Sequence, residues 1–300
     1  MRAPGLFGPL GQWNKLSKHF HIFLGYRDAS LRRRRPIPCL LYTSILGGLR
    51  NLIPYQNDVL LNLTTCGLII FGGLGFLVIL DILKKRSFRK LTLHSKVVLS
   101  TTLALLLGGT LFLKATEDVT WLGAFFQSVS ARTAGFSTYP IGEFTNAGLF
   151  TLIVLMFIGA SPGSTGGGIK TSTFFVLLQH VRSLFTKQHI GAFHRSISFE
   201  MFSKACTITL LSMLLVCVGT FLLCVLEPKY SFVQLLFEEV SAFGTVGLST
   251  GITPDLGVAS KLVLIFTMFA GRVGAFTLLT IWIDRPLPNI RYTEESITIG

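Results

Sequence analysis

The chain has 300 residues, half of them hydrophobic and 14% charged, with a mean hydropathy of +0.62. A soluble domain with a hydrated surface does not carry that composition, so the chain reads as an all-α integral membrane protein. The formal net charge of +13 is a topology signal, not a nucleic-acid footprint, because the Lys and Arg residues cluster in short loops between apolar runs.

In chain order, residues 1–50 form an atypical N-terminal segment carrying the run Arg32, Arg33, Arg34 and Arg35. Charge-free runs follow at 59–80, 97–113, 144–169 and 205–226, and a further run at 262–283 is interrupted only by Arg272. Roughly 20 helical residues cross the hydrocarbon core, so these are five candidate spans. The apolar segments 119–131 and 231–243 are too short to cross. Each precedes a glycine-containing stretch and is expected to be a re-entrant pore helix that enters the membrane and returns.

The loop after the first span holds Lys84, Lys85, Arg86, Arg89, Lys90 and Lys96 without an acid, and the loop after the third holds Arg182, Lys187, Arg195 and Lys204 against Glu200. These loops are expected to be cytoplasmic, as is the C-terminus. The opposite face then carries Glu117, Asp118, Glu143, Glu227, Glu238, Glu239 and Asp255, an expected acidic outer vestibule that concentrates cations. Arg32 to Arg35 would fall on that outer face, against the bias of every later loop.

Residues 129–138 and 240–250 are nearly the same sequence, and an offset of 112 aligns Gly135 with Gly247. The same offset carries Met156-Phe157-Ile158-Gly159 onto Met268-Phe269-Ala270-Gly271, so the register extends into the following helix. Thr133, Ala134, Gly135 and Phe136, with Thr245, Val246, Gly247 and Leu248, are the candidate potassium selectivity filter. Backbone carbonyls can replace the water shell of K+ without a fixed charge to trap it. Glycine permits the backbone turn that this requires, and a pore helix ending just before each loop aims its negative dipole end at the ion. The alternative is that these glycines only let helices pack closely. The stretch Phe71-Gly72-Gly73-Leu74-Gly75-Phe76 resembles residues 269–276 and suggests the closing helix of a further unit.

The stretch 159–171 places five glycines and a proline inside an otherwise long span, so that helix should break near mid-membrane. Gly159, Pro162, Gly163, Gly166, Gly167, Gly168 and Lys170, with Arg272 in the last span, are the candidate gate. A rigid packing kink is the alternative. Arg272 should face the cavity and meet carbonyls of the broken helix, with snorkelling the weaker choice because eleven uncharged residues follow it. Ile169, which separates Gly168 from Lys170-Thr171, and the lack of a preceding strand argue against a phosphate-binding loop. Cys66, Cys206, Cys217 and Cys224 lie within spans, lack Cys-x-x-Cys spacing and are expected to be buried small apolar packing residues. No catalytic constellation is present in the sequence, so an enzyme is not expected.

The Thr-Ala-Gly-Phe-Ser-Thr at 133–138, the Gly-Ser-Thr-Gly-Gly-Gly-Ile-Lys-Thr at 163–171, the Gly-Arg-Val-Gly at 271–274 and the Arg-Tyr-Thr-Glu-Glu at 291–295 resemble the Trk/Ktr/HKT superfamily of potassium transporters, membrane subunits of the KtrB/TrkH type. The resemblance covers about residues 51–300. It implies four helix–pore loop–helix units in one chain, with broken helices and pseudo-fourfold symmetry. It also implies K+ as the transported ion with Na+ as a modulator and no bound cofactor. A homodimer in the bacterial cytoplasmic membrane follows, with a cytoplasmic nucleotide-binding regulatory subunit of the KtrA/TrkA type and no nucleic acid as partner.

The expected organisation is 1–50 atypical, 51–90 the closing helix of an incomplete repeat, 91–190 a complete repeat with the gate, 191–284 the final repeat and 285–300 a cytoplasmic tail. Only two filter strands are legible. Counting back by the 86 residues between Phe71 and Phe157 places an earlier filter glycine near Gly48, whose surroundings lack the pattern. Residues 1 to about 50 are therefore expected not to be native pore sequence, through a frame disruption, a misassigned start or a truncation. A non-conducting remnant or structural membrane protein of the same family is the alternative function.

Overall fold

Residues 51–186, 191–192, 195–196 and 198–274 are described by the computed structural model. The chain separates into two compact units, Met1–Pro38 and Cys39–Gly300, and all described residues belong to the second. The expectations for residues 1–50, for the end of the last span and for the tail at 285–300 lie outside the described residues.

The first apolar run is not one straight span. It forms α1 (Val59–Leu74) and α2 (Phe76–Lys85), joined at Gly75 and bent by 96°. Gly75 has φ +82, a left-handed conformation that costs glycine little. At the far end of α2, Asp81 accepts hydrogen bonds from the backbone and hydroxyl of Thr92 and from the Ser95 hydroxyl, and pairs with Lys85 at 2.7 Å. That cluster fixes the N-terminus of α3 (Leu93–Thr116), whose cap is the Thr92 side chain.

From α3 onward the molecule is built twice. In the first copy α3 is followed by the short α4 (Trp121–Ser130), a loop, and α5 (Asn146–Phe157). The second copy runs α7 (Phe199–Leu226), α8 (Phe232–Phe243), a loop, and α9 (Val258–Val273). Between them lie α6 (Thr171–Thr186) and a small antiparallel ladder of β1 (Gly191–Ala192) with β2 (Arg195–Ser196).

Among the described helices, α3 and α7 are each long and apolar enough to cross a membrane, and α1 with α2 counts as a third crossing if the bent pair is one span. Of the third expected span, 144–169, only α5 is helical; the glycine-rich segment takes up the rest, and α6 begins beyond it. Five glycines and a proline cannot propagate helical hydrogen bonds through that stretch. Apart from that two-residue ladder the described residues are built of helices, with short and broken ones between long ones, as in a multi-pass membrane protein with re-entrant segments.

Side-chain chemistry sorts inside from outside. Leu103, Leu107 and Leu111 of α3 and Leu210, Leu214, Val218, Phe221 and Val225 of α7 are exposed. These rows at helical spacing suit a surrounding of lipid. The interior is a cluster shared by both copies, including Leu113, Leu152, Met156, Phe237, Val240 and Phe243. The rings of Phe157 and Phe243 stand 5.7 Å apart across it.

The short helices lie inside this shell. Helix α4 packs on α3 and α1, and α8 packs on α7, α9 and α5. Each short helix thus contacts the opening helix of its own copy and the helix that closes the copy before it, and α8 also contacts the closing helix of its own copy.

Two sequence expectations change. Cys66 is buried, but Cys217 is exposed, so uniform burial of the cysteines does not hold. The acidic vestibule is also largely spent on internal bonds. Glu238 and Glu239 are 4% and 0% exposed, while Glu117 and Glu227 cap helices. The Glu117 carboxylate accepts from the Thr145 N–H at 3.0 Å and its hydroxyl at 2.6 Å, at the start of α5. Likewise Glu227 accepts from the Gly257 N–H at 2.5 Å and the Ser260 hydroxyl at 3.0 Å, at the start of α9. In both copies the residue that ends the first helix caps the third, where a negative charge suits the helix dipole.

Candidate functional site

The two loops after α4 and α8 share an unusual backbone. Thr133 and Thr245 have φ +71 and +50, and Gly135 and Gly247 have φ +76 and +91. Ala134 and Val246 between them keep negative φ. In an ordinary extended strand successive residues alternate sides. A left-handed residue at every second position breaks that alternation.

For glycine this is cheap, but a β-branched threonine at positive φ costs on the order of 1–3 kcal/mol and persists only where its surroundings impose it. The imposing bonds are visible. The Ala134 N–H donates to Ser130 O at 3.0 Å and the Val246 N–H to Ser241 O at 2.9 Å. The Ser130 hydroxyl donates to Phe136 O, and the Ser241 hydroxyl donates to Leu248 O at 2.6 Å.

The loops meet each other. A Cβ added to Gly135 would lie 2.2 Å from Val246 O, and one on Gly247 would be 3.8 Å from the Gly135 Cα. Thr133, Ala134, Phe136, Thr245 and Gly247 are half-buried and Gly135, Val246 and Leu248 buried. All eight candidate filter residues therefore gather at one place, at the C-terminal ends of α4 and α8, where the helix dipoles present partial negative charge. On the open side of the first loop lies a cavity of about 440 Å3, lined by Thr133, Ala134, Phe136, Thr65, Gly72 and Thr165 among others. The Asn51 amide also reaches this loop, donating to Gly135 O at 3.3 Å.

The glycine-rich segment lies against the threonine end of the loops. A Cβ on Gly166 would stand 2.4 Å from the Thr133 Oγ1, and one on Gly167 would stand 2.6 Å from the Thr245 Oγ1. Gly159 is packed on Gly167 O, and the Ile169 N–H donates to Phe157 O at 3.2 Å, so the segment leaves α5 and returns beside it. Lys170 donates to Gly166 O at 2.5 Å, and an Arg272 N–H donates to Thr165 O. Gly168, at φ +70, turns the chain back towards α6.

Pro162 and Gly163 are the candidate gate residues that do not join this group. They sit at the bend between α1 and α2, where the Phe76 N–H donates to Gly163 O at 3.3 Å and a Cβ on Gly75 would meet Pro162 O at 2.9 Å. Ser161 completes that grip, its N–H donating to Gly73 O at 3.1 Å and its hydroxyl to the same oxygen at 2.9 Å.

Sequence reasoning passed over Arg132. Its side chain is 7% exposed and has no acidic partner among the described residues. One guanidinium nitrogen donates to Gly159 O at 3.2 Å and another reaches Thr102 O at 3.5 Å, while Nε is unpartnered. A buried cation without a counter-ion is costly unless carbonyl dipoles face it. Arg132 thereby joins the end of α4 to the first residue of the glycine-rich segment. The signal for it was the register: α4 and α8 align by 111 residues at Val129/Val240, and the loops by 112 at Gly135/Gly247. The extra residue enters where Arg132 stands opposite Phe243 and Gly244.

Repeated long helix, re-entrant helix, strained loop and closing helix define a class of multi-pass membrane protein whose polar backbone is gathered at a central site. The TrkH family sequence model, described as cation transport protein, matches residues 96–290. The chain belongs to that family.

It is 40% identical over 266 residues to Ktr system potassium uptake protein B of Vibrio alginolyticus, covering 83% of this chain and 58% of that protein. Its identity to potassium/sodium uptake protein NtpJ of Enterococcus hirae is 41% over 268 residues, covering 83% and 59%. The crystal structure of the potassium transporter TrkH from Vibrio parahaemolyticus shares the fold, with a TM-score of 0.64 and 20% identity over 80% of this chain and 54% of that one. The chain thus spans less than two thirds of the length of these relatives.

Proposed function

We propose that this chain is an ion-conducting membrane subunit of a potassium uptake system of the Ktr/Trk type. The observation that carries the reading is the doubled backbone signature, Thr133 and Gly135 against Thr245 and Gly247, all four at positive φ in loops that touch. Backbone carbonyls gathered at the negative ends of two helices suit a dehydrated K+ ion. The names of the two relatives, both uptake proteins for potassium or for potassium and sodium, support the same substrate.

In this reading residues 133–136 and 245–248 are two quarters of a selectivity filter, and the cavity beside Thr133 is where further filter loops complete the ring. Residues 159–170 are the gate. Gly166 and Gly167 pack against the two threonines, so in this reading conduction requires the segment to move. Lys170, Arg272 and Arg132 each hold one of its carbonyls and keep it closed. The protein sits in the bacterial cytoplasmic membrane with its C-terminus inside. It works as a homodimer with a nucleotide-binding regulatory subunit, and Na+ modulates it.

A second reading, a non-conducting member of the family, draws on the count of two filter loops among the described residues. Expression in a potassium-uptake-deficient bacterium separates the two. Growth on low potassium is expected, whereas no rescue by a chain shown to be inserted in the membrane would exclude conduction.

A further inference from the structure

Glu238 and Glu239 are adjacent on α8, nearly without exposure, and neither has a cation partner among the described residues. Glu238 is bound on every side by hydroxyl and amide donors. Its Oε1 accepts from the Ser249 Oγ at 2.7 Å, the Thr250 N–H at 2.9 Å and the Thr250 Oγ1 at 3.1 Å, and its Oε2 accepts from the Thr253 Oγ1 at 2.7 Å. Ser249 and Thr250 follow directly on the loop 245–248, and Thr253 lies three residues further on.

The first copy supplies an internal control. In the helix register that pairs Ser130 with Ser241, the residue opposite Glu238 is Gln127. Gln127 donates from Nε2 to the Ser137 Oγ at 2.9 Å, and Ser137 occupies the place of Ser249. The same position on both short helices therefore grips the residue just beyond the loop, once through a neutral amide and once through a carboxylate.

We propose that Glu238 is a positioning residue for the second filter loop, acting as a hydrogen-bond acceptor and not through its charge on the ion; this rests on the filter reading of the loops. Ser241 holds Leu248 O, and Glu238 holds the next segment, so the loop is fixed at its outer end from a single turn of α8. Without that hold the carbonyls relax inward onto smaller ions, and the preference for K+ over Na+ falls. A glutamine can take over the role. Its oxygen accepts from Ser249 and Thr250, and its amide donates to the Thr253 hydroxyl, which then donates to the Ser249 hydroxyl 2.7 Å away.

The test is thermal unfolding of the purified full chain in detergent, in equal concentrations of KCl and NaCl and in choline chloride. The parent should melt at a higher temperature in K+ than in Na+. E238Q should keep that difference, and E238A should lose it while melting like the parent in choline. If E238A is unstable in choline, T253V, which keeps the carboxylate and removes one donor, should shrink the K+ over Na+ difference.

Equal loss in E238Q and E238A would overturn positioning in favour of charge, and an undiminished difference in E238A or in T253V would overturn it outright. Should the parent and a G135S variant show no K+ preference, the filter reading itself fails, an outcome distinct from the other two.

Discussion

Gly135 shows what one side chain can decide. A Cβ there would lie 2.2 Å from Val246 O and would have to adopt φ +76, so both space and backbone forbid it. Gly247 has room, with its nearest neighbour at 3.8 Å, but needs φ +91. In flux measurements G135S is expected to abolish or strongly reduce discrimination of K+ from Na+, and G247S to reduce it less. Unchanged selectivity in both would remove these residues from the ion path. The two loops were legible in the sequence because threonine and glycine recur at one spacing in equivalent surroundings. Arg132 was not, because it occupies the single place where the copies differ by one residue, and a repeat shows only what it repeats.

Helix ends explain the acids better than a vestibule does. Glu117 and Glu227 each finish one helix and cap the closing helix of the same copy. The Glu227 carboxyl is held below the ordinary carboxylate range, foremost by the Gly257 N–H and further by the Ser260 hydroxyl. Its folded value lies below its unfolded one, so the stabilisation is complete above about pH 4.5 and is lost as the pH falls through the folded value. Melting curves below pH 4.5 should therefore fall more steeply for the parent than for E227Q, and equal slopes would contradict the capping role.

Hydropathy located the short helices α4 and α8 because a run of 10 to 12 residues cannot cross a bilayer. It missed the bend at Gly75. Residues 59–80 carry no charge, and glycine is common in membrane helices, so the composition looks like one span. The bend is held by Ser161, 86 residues away from Gly75, a tertiary contact that no local pattern carries.

At the scale of the whole molecule, two copies of one unit surround a site of backbone oxygens, with a glycine-rich segment packed against its threonine end. The helical membrane architecture followed from composition and the lengths of the apolar runs, and the equivalence of the copies followed from the offset. What sequence could not show is the closeness of the parts: Gly166 and Gly167 fit beneath the two threonines only because neither has a side chain. Reconstitution of the full chain in proteoliposomes, with K+ and Na+ fluxes measured under the same gradient, tests the central claim most directly. K+ flux exceeding Na+ flux, and lost in G135S, is the expected result; no cation flux, or equal K+ and Na+ fluxes indifferent to G135S, would contradict it.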